Sequence, residues 1–282
     1  MASLKEIRGR LQSVKGTLKI TSAMRLISSA KLHSAQNAIS NMLPYVQALN
    51  NLMNHLASGD AVRAAMAGYV CGGDENAGTA VVVVSSNQRL CGAFNVNVFK
   101  AFEQQNFDRD TTDVYAVGKV GAQMIAKQGY NVINCSDMAE KPDFDKSVKL
   151  ASDLTGLFLA GKLKKVVLIY AHFASHASQP ILVETYLPMQ PVTTSSTGQT
   201  DYIIEPVPEK ILEELIPKLL FLRMHTAFLD ASAAEHAART LAMQVASDNA
   251  EDLISELSLQ YNKLRQQAIT SEILDLVGGK QD

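Results

Sequence analysis

The chain has 282 residues, 47% of them hydrophobic, and a formal net charge of −2. That is apolar material enough for one large domain or two smaller ones, with a charge balance too even for a nucleic-acid binder by composition. Cys71, Cys91 and Cys135 have no paired spacing, which excludes a disulfide framework or zinc signature and makes a reducing compartment the default; no apolar run approaches the ~20 residues of a transmembrane helix.

The first segment, residues 1–58, is basic and free of acid between Glu6 and Asp60, while carrying Arg8, Arg10, Lys15, Lys19, Arg25 and Lys31. Leu4, Ile7, Leu11, Val14 and Leu18 recur at spacings of three and four, the narrow seam of a coiled coil. The phase is then expected to slip to Ile20, Met24 and Ile27, with smaller residues following and Pro44 marking a kink or short break. One long helix results. A cleavable targeting peptide, a nucleic-acid or membrane-binding arm, and half of a protein shaft all suit such a stretch. The seam, which begins at Leu4 and continues far beyond any cleavage point, favours the shaft.

Residues 59–79 hold Gly59, Gly68, Gly72, Gly73 and Gly78 and read as a linker. Residues 80–205 change period. Short β-rich runs at 80–84, 114–117, 131–133, 166–170 and 181–186 are interleaved with helical stretches at 96–105, 120–128 and 147–160. This alternation predicts an α/β domain with a largely parallel sheet. A Ser/Thr-rich loop at 193–200 precedes a last strand candidate at 202–204.

Residues 209–282 form the third segment. Pro217 is expected to bend or restart a helix that then meets no breaker before Gly278. Leu219, Leu222, Leu229, Leu241, Val245, Leu253, Leu257 and Leu264 mark its apolar pattern, and a pattern so long suggests a coiled coil. From Arg223 onward nine acidic residues face five Lys or Arg, so the two terminal helices have opposite charge balance and could pair antiparallel.

Candidate chemistry is thin. Gly118 and Gly121 stand at a strand-to-helix turn that could approach a phosphate, but they fit neither the dinucleotide fingerprint nor the P-loop, and a tight packing turn explains them. His172 and His176 follow a strand, where residues four apart are about 13 Å distant if extended, and no carboxylate is close in sequence. His236 lies on a helix as a packed or partner-facing residue. Cys91 sits at a turn where nucleophiles occur, without an identifiable base. No catalytic set, cofactor site or metal cluster emerges.

Several segments resemble one family over essentially the whole chain: "LKEIRGRLQSVKGTLKITSAMRLISSAKLHSAQ" at the front, "SSNQRLCGAFNVNV" and "YAVGKVGAQMIAKQGYNVI" in the middle, and "EHAARTLAMQVASDNAEDLISELSLQYNKLRQQAITSEILDLVGG" at the end. These are similar to the gamma subunits of F-type ATP synthases. The resemblance implies a long antiparallel coiled coil of the N- and C-terminal helices with a central Rossmann-like α/β domain. It implies a non-catalytic central shaft, coupling proton- or sodium-driven c-ring rotation to ATP synthesis or hydrolysis in the alpha/beta hexamer. The epsilon subunit, the c-ring and possibly delta are the other implied partners, with no nucleic acid and no cofactor.

By that resemblance Met24, Arg25, Arg239, Arg265, Gln266, Thr270 and Glu272 are expected to meet the alpha/beta hexamer, and Arg89, Leu90 and Cys91 the epsilon or c-ring side. The implied location is peripheral, on the cytoplasmic face of a bacterial inner membrane, a reading also suggested by the start at Met1. The sequence departs from the family at Asn87, Gln88 and Arg89 before "LCG". Arginine there opposes the positive φ that a family glycine adopts easily. The polar "GGKQD" end departs as well. Two readings compete: an imported α/β enzyme or nucleotide-binding module with residues 1–31 as leader, and a coiled-coil adaptor unrelated to ATP synthase.

Overall fold

The structure, a computed structural model, describes residues 4–56, 66–70, 77–189 and 208–278. The strand candidate at 202–204, most of the 59–79 linker and the 193–200 loop lie outside them. In chain order the elements are α1 (Leu4–Leu56), β1 (Gly78–Val84), α2 (Phe94–Gln104), β2 (Thr112–Val117), α3 (Lys119–Ala126) and β3 (Asn131–Asn134). A 3₁₀ turn at Ser136–Met138, α4 (Phe144–Leu159), β4 (Leu163–Ala171), β5 (Ile181–Leu187) and α5 (Pro208–Gly278) complete the series. Residues 66–70 add a helical turn whose Met66 is buried.

Neither proline interrupts its helix: α1 runs through Pro44 and α5 through Pro217. Proline deprives the carbonyl four residues earlier of its donor. At Pro44 that carbonyl belongs to Ser40, and both residues are exposed, so water can supply the missing bond.

The contacts divide the chain into two compact units, residues 1–29 with 239–282, and residues 30–238. In the first unit the two helices are paired. Thr21 and Ser247 share a hydroxyl hydrogen bond at 2.9 Å, and Arg25 Nη1 donates to Gln244 Oε1. Moving forward along α1 moves backward along α5, so the pair is antiparallel. The seam on α1 keeps its phase instead of slipping: Ile7, Thr21 and Ser28 are buried, with Leu11, Val14 and Leu18 half-buried between them. Ile20, Leu26 and Ile27, in contrast, are about three-fifths exposed. On α5 the inward positions are Met243, Ser247 and Ala250, then half-buried Ile254, Leu257, Tyr261 and Leu264. Leu241, Val245 and Leu253, expected in the seam, are exposed. Small polar residues hold the inner positions here, which is why a search for large aliphatics lost the register.

In the second unit a five-stranded sheet has the order β3-β2-β1-β4-β5. The first four strands are parallel; β5 is antiparallel to β4, so the sheet is mixed rather than all-parallel. Alternate residues of β1 face opposite ways, as the pleat requires. Val81 and Val83 meet Val98 and Phe102 of α2 and Ile125 of α3. Ala80, Val82 and Val84 meet the other face, where Leu154 and Phe158 of α4 lie with Leu212, Ile216, Leu220, Met224 and Phe228 of α5. Residues 231–238 of α5 are buried all round. Their small side chains permit it: Ala234 and Ala238 pack on Cys91, Phe94 and Ala171, while Ala233 and Ala237 pack on Leu32 and Ala35 of α1.

Candidate functional site

The amino end of α3, reached from the carboxyl ends of β1 and β2, is where backbone amides could receive a phosphate. Here the protein fills that place itself. The first three amides of α3 are taken: Lys119 N donates to Asn87 Oδ1 (3.0 Å), Val120 N to Ser86 O (3.1 Å) and Gly121 N to Ser85 Oγ (3.0 Å). A phosphate would need those same donors. Gly118 adopts φ +116°, and a Cβ there would stand 2.2 Å from Ser85 O. The two glycines are thus demanded by close packing, as the turn reading anticipated.

Cys91 is almost fully enclosed at 1% exposure. Asn95 Nδ2 donates to its sulfur (3.1 Å) and to Ser86 Oγ (2.8 Å), tying the loop after β1 to the first turn of α2. The positive φ falls on Leu90 (70°) and Gly92 (60°), not on Arg89. Leu90 also exposes 63% of its surface. A leucine in the left-handed region costs about 1–2 kcal/mol, so the loop tip combines backbone strain with an outward apolar side chain.

His172, His176, His225 and His236 are held by contacts within the chain. His172 Nδ1 pairs with Asp230 Oδ2 at 2.6 Å, His176 meets the edge of the Phe173 ring, and His236 is buried on α5 rather than partner-facing. His225 Nδ1 lies 3.0 Å from Ser147 Oγ, whose own proton goes to Asp143 O. The Nδ1–H tautomer satisfies both bonds, and burial pushes the His225 pKa down against the opposing charge of Asp143. Among the described residues no cluster of His, Cys, Asp and Glu could hold a metal, and no helix is long and apolar enough to cross a membrane.

The expected contact residues separate by exposure. Met24 and Arg25 are half-buried beside the seam; Arg265, Gln266, Thr270 and Glu272 are exposed. Arg239 (5% exposed) and Cys91 are the two that the fold encloses. The register explains the contrast. Extending the Thr21–Ser247 pairing places Leu4, the first described residue of α1, opposite residues 264–265, so among the described residues nothing on α1 pairs with α5 beyond that point. Around the paired part and along this overhang, large aliphatics face outward: Ile20, Leu26, Ile27, Leu259, Ile273 and Leu274. Two helices can cover only their shared seam. Exposed apolar faces of this extent mark a surface that another protein covers. Sequence periodicity missed the overhang because it follows from pairing between distant segments.

The fold therefore defines a class: long N- and C-terminal helices paired with each other, and a mixed five-stranded α/β sheet in which the amides at the start of α3 are satisfied by the chain itself. Comparison with known proteins narrows it. A protein-family model described as ATP synthase matches residues 3–281. The ATP synthase gamma chain of Bacteroides fragilis is 45% identical over 290 residues, covering 99% of each chain, and that of Flavobacterium psychrophilum is 41% identical over 289 residues, covering 100% of this chain and 99% of the other. A chain from the Euglena gracilis mitochondrial ATP synthase structure containing OSCP, F1 and the c-ring, in rotational state 3, shares the fold. Its TM-score is 0.70 at 19% identity, covering 98% of this chain and 93% of that one. A chain of the Tetrahymena thermophila mitochondrial ATP synthase central stalk and c-ring aligns with a TM-score of 0.59 at 20% identity, covering 81% and 99%.

The chain belongs to the ATP synthase gamma chain family. Members are the central stalk of the F-type enzyme and not its catalytic subunit; the catalytic sites lie on the beta subunits.

Proposed function

We propose that the paired helices enter the cavity of an alternating alpha/beta hexamer and that the α/β domain lies toward epsilon and the c-ring, with delta a further possible neighbour in the complex. Ion flow, of protons or sodium, turns the ring; the shaft turns with it and drives each catalytic site through its states, and ATP hydrolysis runs the cycle backwards. The chain then works as a peripheral protein at the cytoplasmic face of a bacterial inner membrane, attached through the complex. The observation that carries this reading is the outward aliphatic surface of Ile20, Leu26, Ile27, Leu259, Ile273 and Leu274 on a two-helix element. Apolar contact is non-directional, so it encloses a turning shaft without trapping it at one angle.

Polar catches supply angle-dependent contact. Exposed Arg265, Gln266, Thr270 and Glu272 can bond to stator groups at particular angles, the arginine through charge-assisted bonds to carboxylates. Met24 and Arg25 are the corresponding residues on α1. Arg239 and Cys91, being enclosed, act by holding the helix and the loop that carry the exposed contacts.

The Arg89–Leu90 tip is assigned by resemblance to the epsilon or c-ring side. Its packing through Cys91 on Ala234 and Ala238, at the opposite end of the sheet-lining part of α5 from Pro208, supports a competing position facing the hexamer. Cross-linking from Arg89→Cys distinguishes the two by the subunit captured.

The test of the whole reading is reconstitution with the alpha and beta subunits of the host. The full chain should enter a complex at one copy per hexamer and raise ATP turnover; a chain ending at Asn262 should assemble less tightly and raise turnover less. If the full chain elutes alone and changes nothing, the shaft reading fails.

A further inference from the structure

We propose that Arg223 and Asp230 are torque anchors, fixing α5 to the β4–β5 edge of the sheet so that rotation passes between them without slip. The proposal rests on the shaft reading above. If load enters through the α/β domain and leaves through the helices, it has to cross the joint between the sheet and α5.

That joint is built in two ways. Leu212, Ile216, Met224 and Phe228 provide apolar contact. Such contact resists separation, but its energy changes little when surfaces slide by a fraction of an ångström. Hydrogen bonds weaken steeply as angle and distance depart from the optimum, so polar links resist sliding and twisting. Asp230 accepts from Phe173 N at 2.9 Å through Oδ1 and pairs with His172 Nδ1 at 2.6 Å through Oδ2. Arg223 Nη2 donates to Glu184 Oε2 at 3.1 Å and to the Thr185 carbonyl at 3.0 Å.

The placement suits a mechanical role. Residues seven apart on a helix differ by only about 20° in azimuth and by about 10 Å along the axis. Arg223 and Asp230 therefore form one stripe with two separated fixings, an arrangement that opposes both rotation and translation of α5. Their partners are themselves braced. Tyr170 Oη donates to Glu184 Oε1 at 2.9 Å. The loop between the strands is closed by His172 N to Pro180 O (2.8 Å) and by Gln179 Nε2 to the carbonyls of Ser175 and His176. Tyr186, fully buried, adds a bond from its hydroxyl to Leu220 O at 2.8 Å on a neighbouring part of α5.

The test uses the reconstituted complex, immobilised through its hexamer, with a bead carried on the α/β domain. Angular variance about a stalled position reports torsional stiffness directly. Arg223→Gln and Asp230→Asn should each raise that variance by roughly one and a half-fold, since one of three directional fixings, the third being Tyr186, is lost. Lys146→Gln, which removes an exposed surface pair with Asp137, should leave it unchanged. Thermal stability and ATP turnover of the complexes are measured alongside, because a residue that merely supports folding would move those and not the variance alone. The unsubstituted complex supplies a second readout. The Arg223–Glu184 pair is partly open to solvent. Raising ionic strength from about 0.01 M to about 0.15 M shortens the screening length from about 30 Å to about 8 Å. Variance should rise over this range, and rise less in Arg223→Gln. Unchanged variance in both variants overturns the proposal. If the variants do not assemble, a salt-independent variance in the unsubstituted complex overturns it. A complex that does not form or turn at all brings down the shaft reading, and this proposal with it.

Discussion

The hydroxyl pair at the centre of the helical seam offers a quantitative test of the coil. Thr21 and Ser247 are 8% and 4% exposed, and their oxygens are 2.9 Å apart. Thr21 Oγ1 also lies 3.1 Å from Leu18 O in its own helix. Ser247→Ala therefore leaves Thr21 with an acceptor, and the loss should be that of one net hydrogen bond, about 0.5–1.5 kcal/mol. Thr21→Val keeps the shape but leaves the buried Ser247 hydroxyl without this partner, and should cost about 1–3 kcal/mol. Replacing both residues leaves two apolar groups of matching size facing each other, which is close to neutral. The double variant should thus be more stable than either single one, with a coupling of about 2 kcal/mol or more. Urea unfolding followed by helical circular dichroism measures it, with Ser247→Ala shifting the midpoint by about 0.5 M for an m-value near 2 kcal/mol/M and the double variant returning close to the parent value. Additive losses in the double variant, or single variants indistinguishable from the parent chain, would refute the bond and the register drawn from it.

Two further outcomes concern the α/β domain. Gly118→Ala should lower stability by about 3 kcal/mol or more, since φ is +116° and the new carbon meets Ser85 backbone atoms at 2.2 Å and 2.5 Å; a urea midpoint equal to that of the parent chain would contradict the geometry. His225 has its pKa lowered by burial in the folded state, so the unfolded chain binds the proton more readily. Its contribution is complete above the ordinary imidazole value of about 6.5 and is lost as pH falls below it. The stability gap between the parent chain and His225→Gln should narrow from pH 7.5 to pH 5, and a gap that widens on acidification would reverse the sign.

The roles of the contact residues were legible only as far as their chemistry. Arg265, Gln266, Thr270 and Glu272 stand in a recognisable terminal segment, yet their exposure follows from where α1 begins on the partner helix. Arg239 has the same residue type as Arg265 and the opposite surroundings, enclosed at 5% exposure. Nothing local distinguishes two arginines on one continuous helix; the neighbours do. Asp230 gave no signal at all, because its partners, His172 and Phe173, come from a strand end far away in sequence.

The sequence by itself determined the element types. Runs such as 80–84 and 166–170 are apolar, β-branched and short, which suits strands buried on both faces. Long breaker-poor segments at both ends suit helices, and their mutual pairing follows from two apolar patterns that neither could bury alone. Only the tertiary structure decided the phase of that pairing, since the inner positions at Thr21, Ser28 and Ser247 are small and polar and carry no hydrophobic signal. It also decided the direction of β5, which antiparallel pairing with β4 reverses relative to the other strands. Periodicity reports which face of an element is apolar; which partner covers that face, and at what register, depends on contacts between residues hundreds of positions apart.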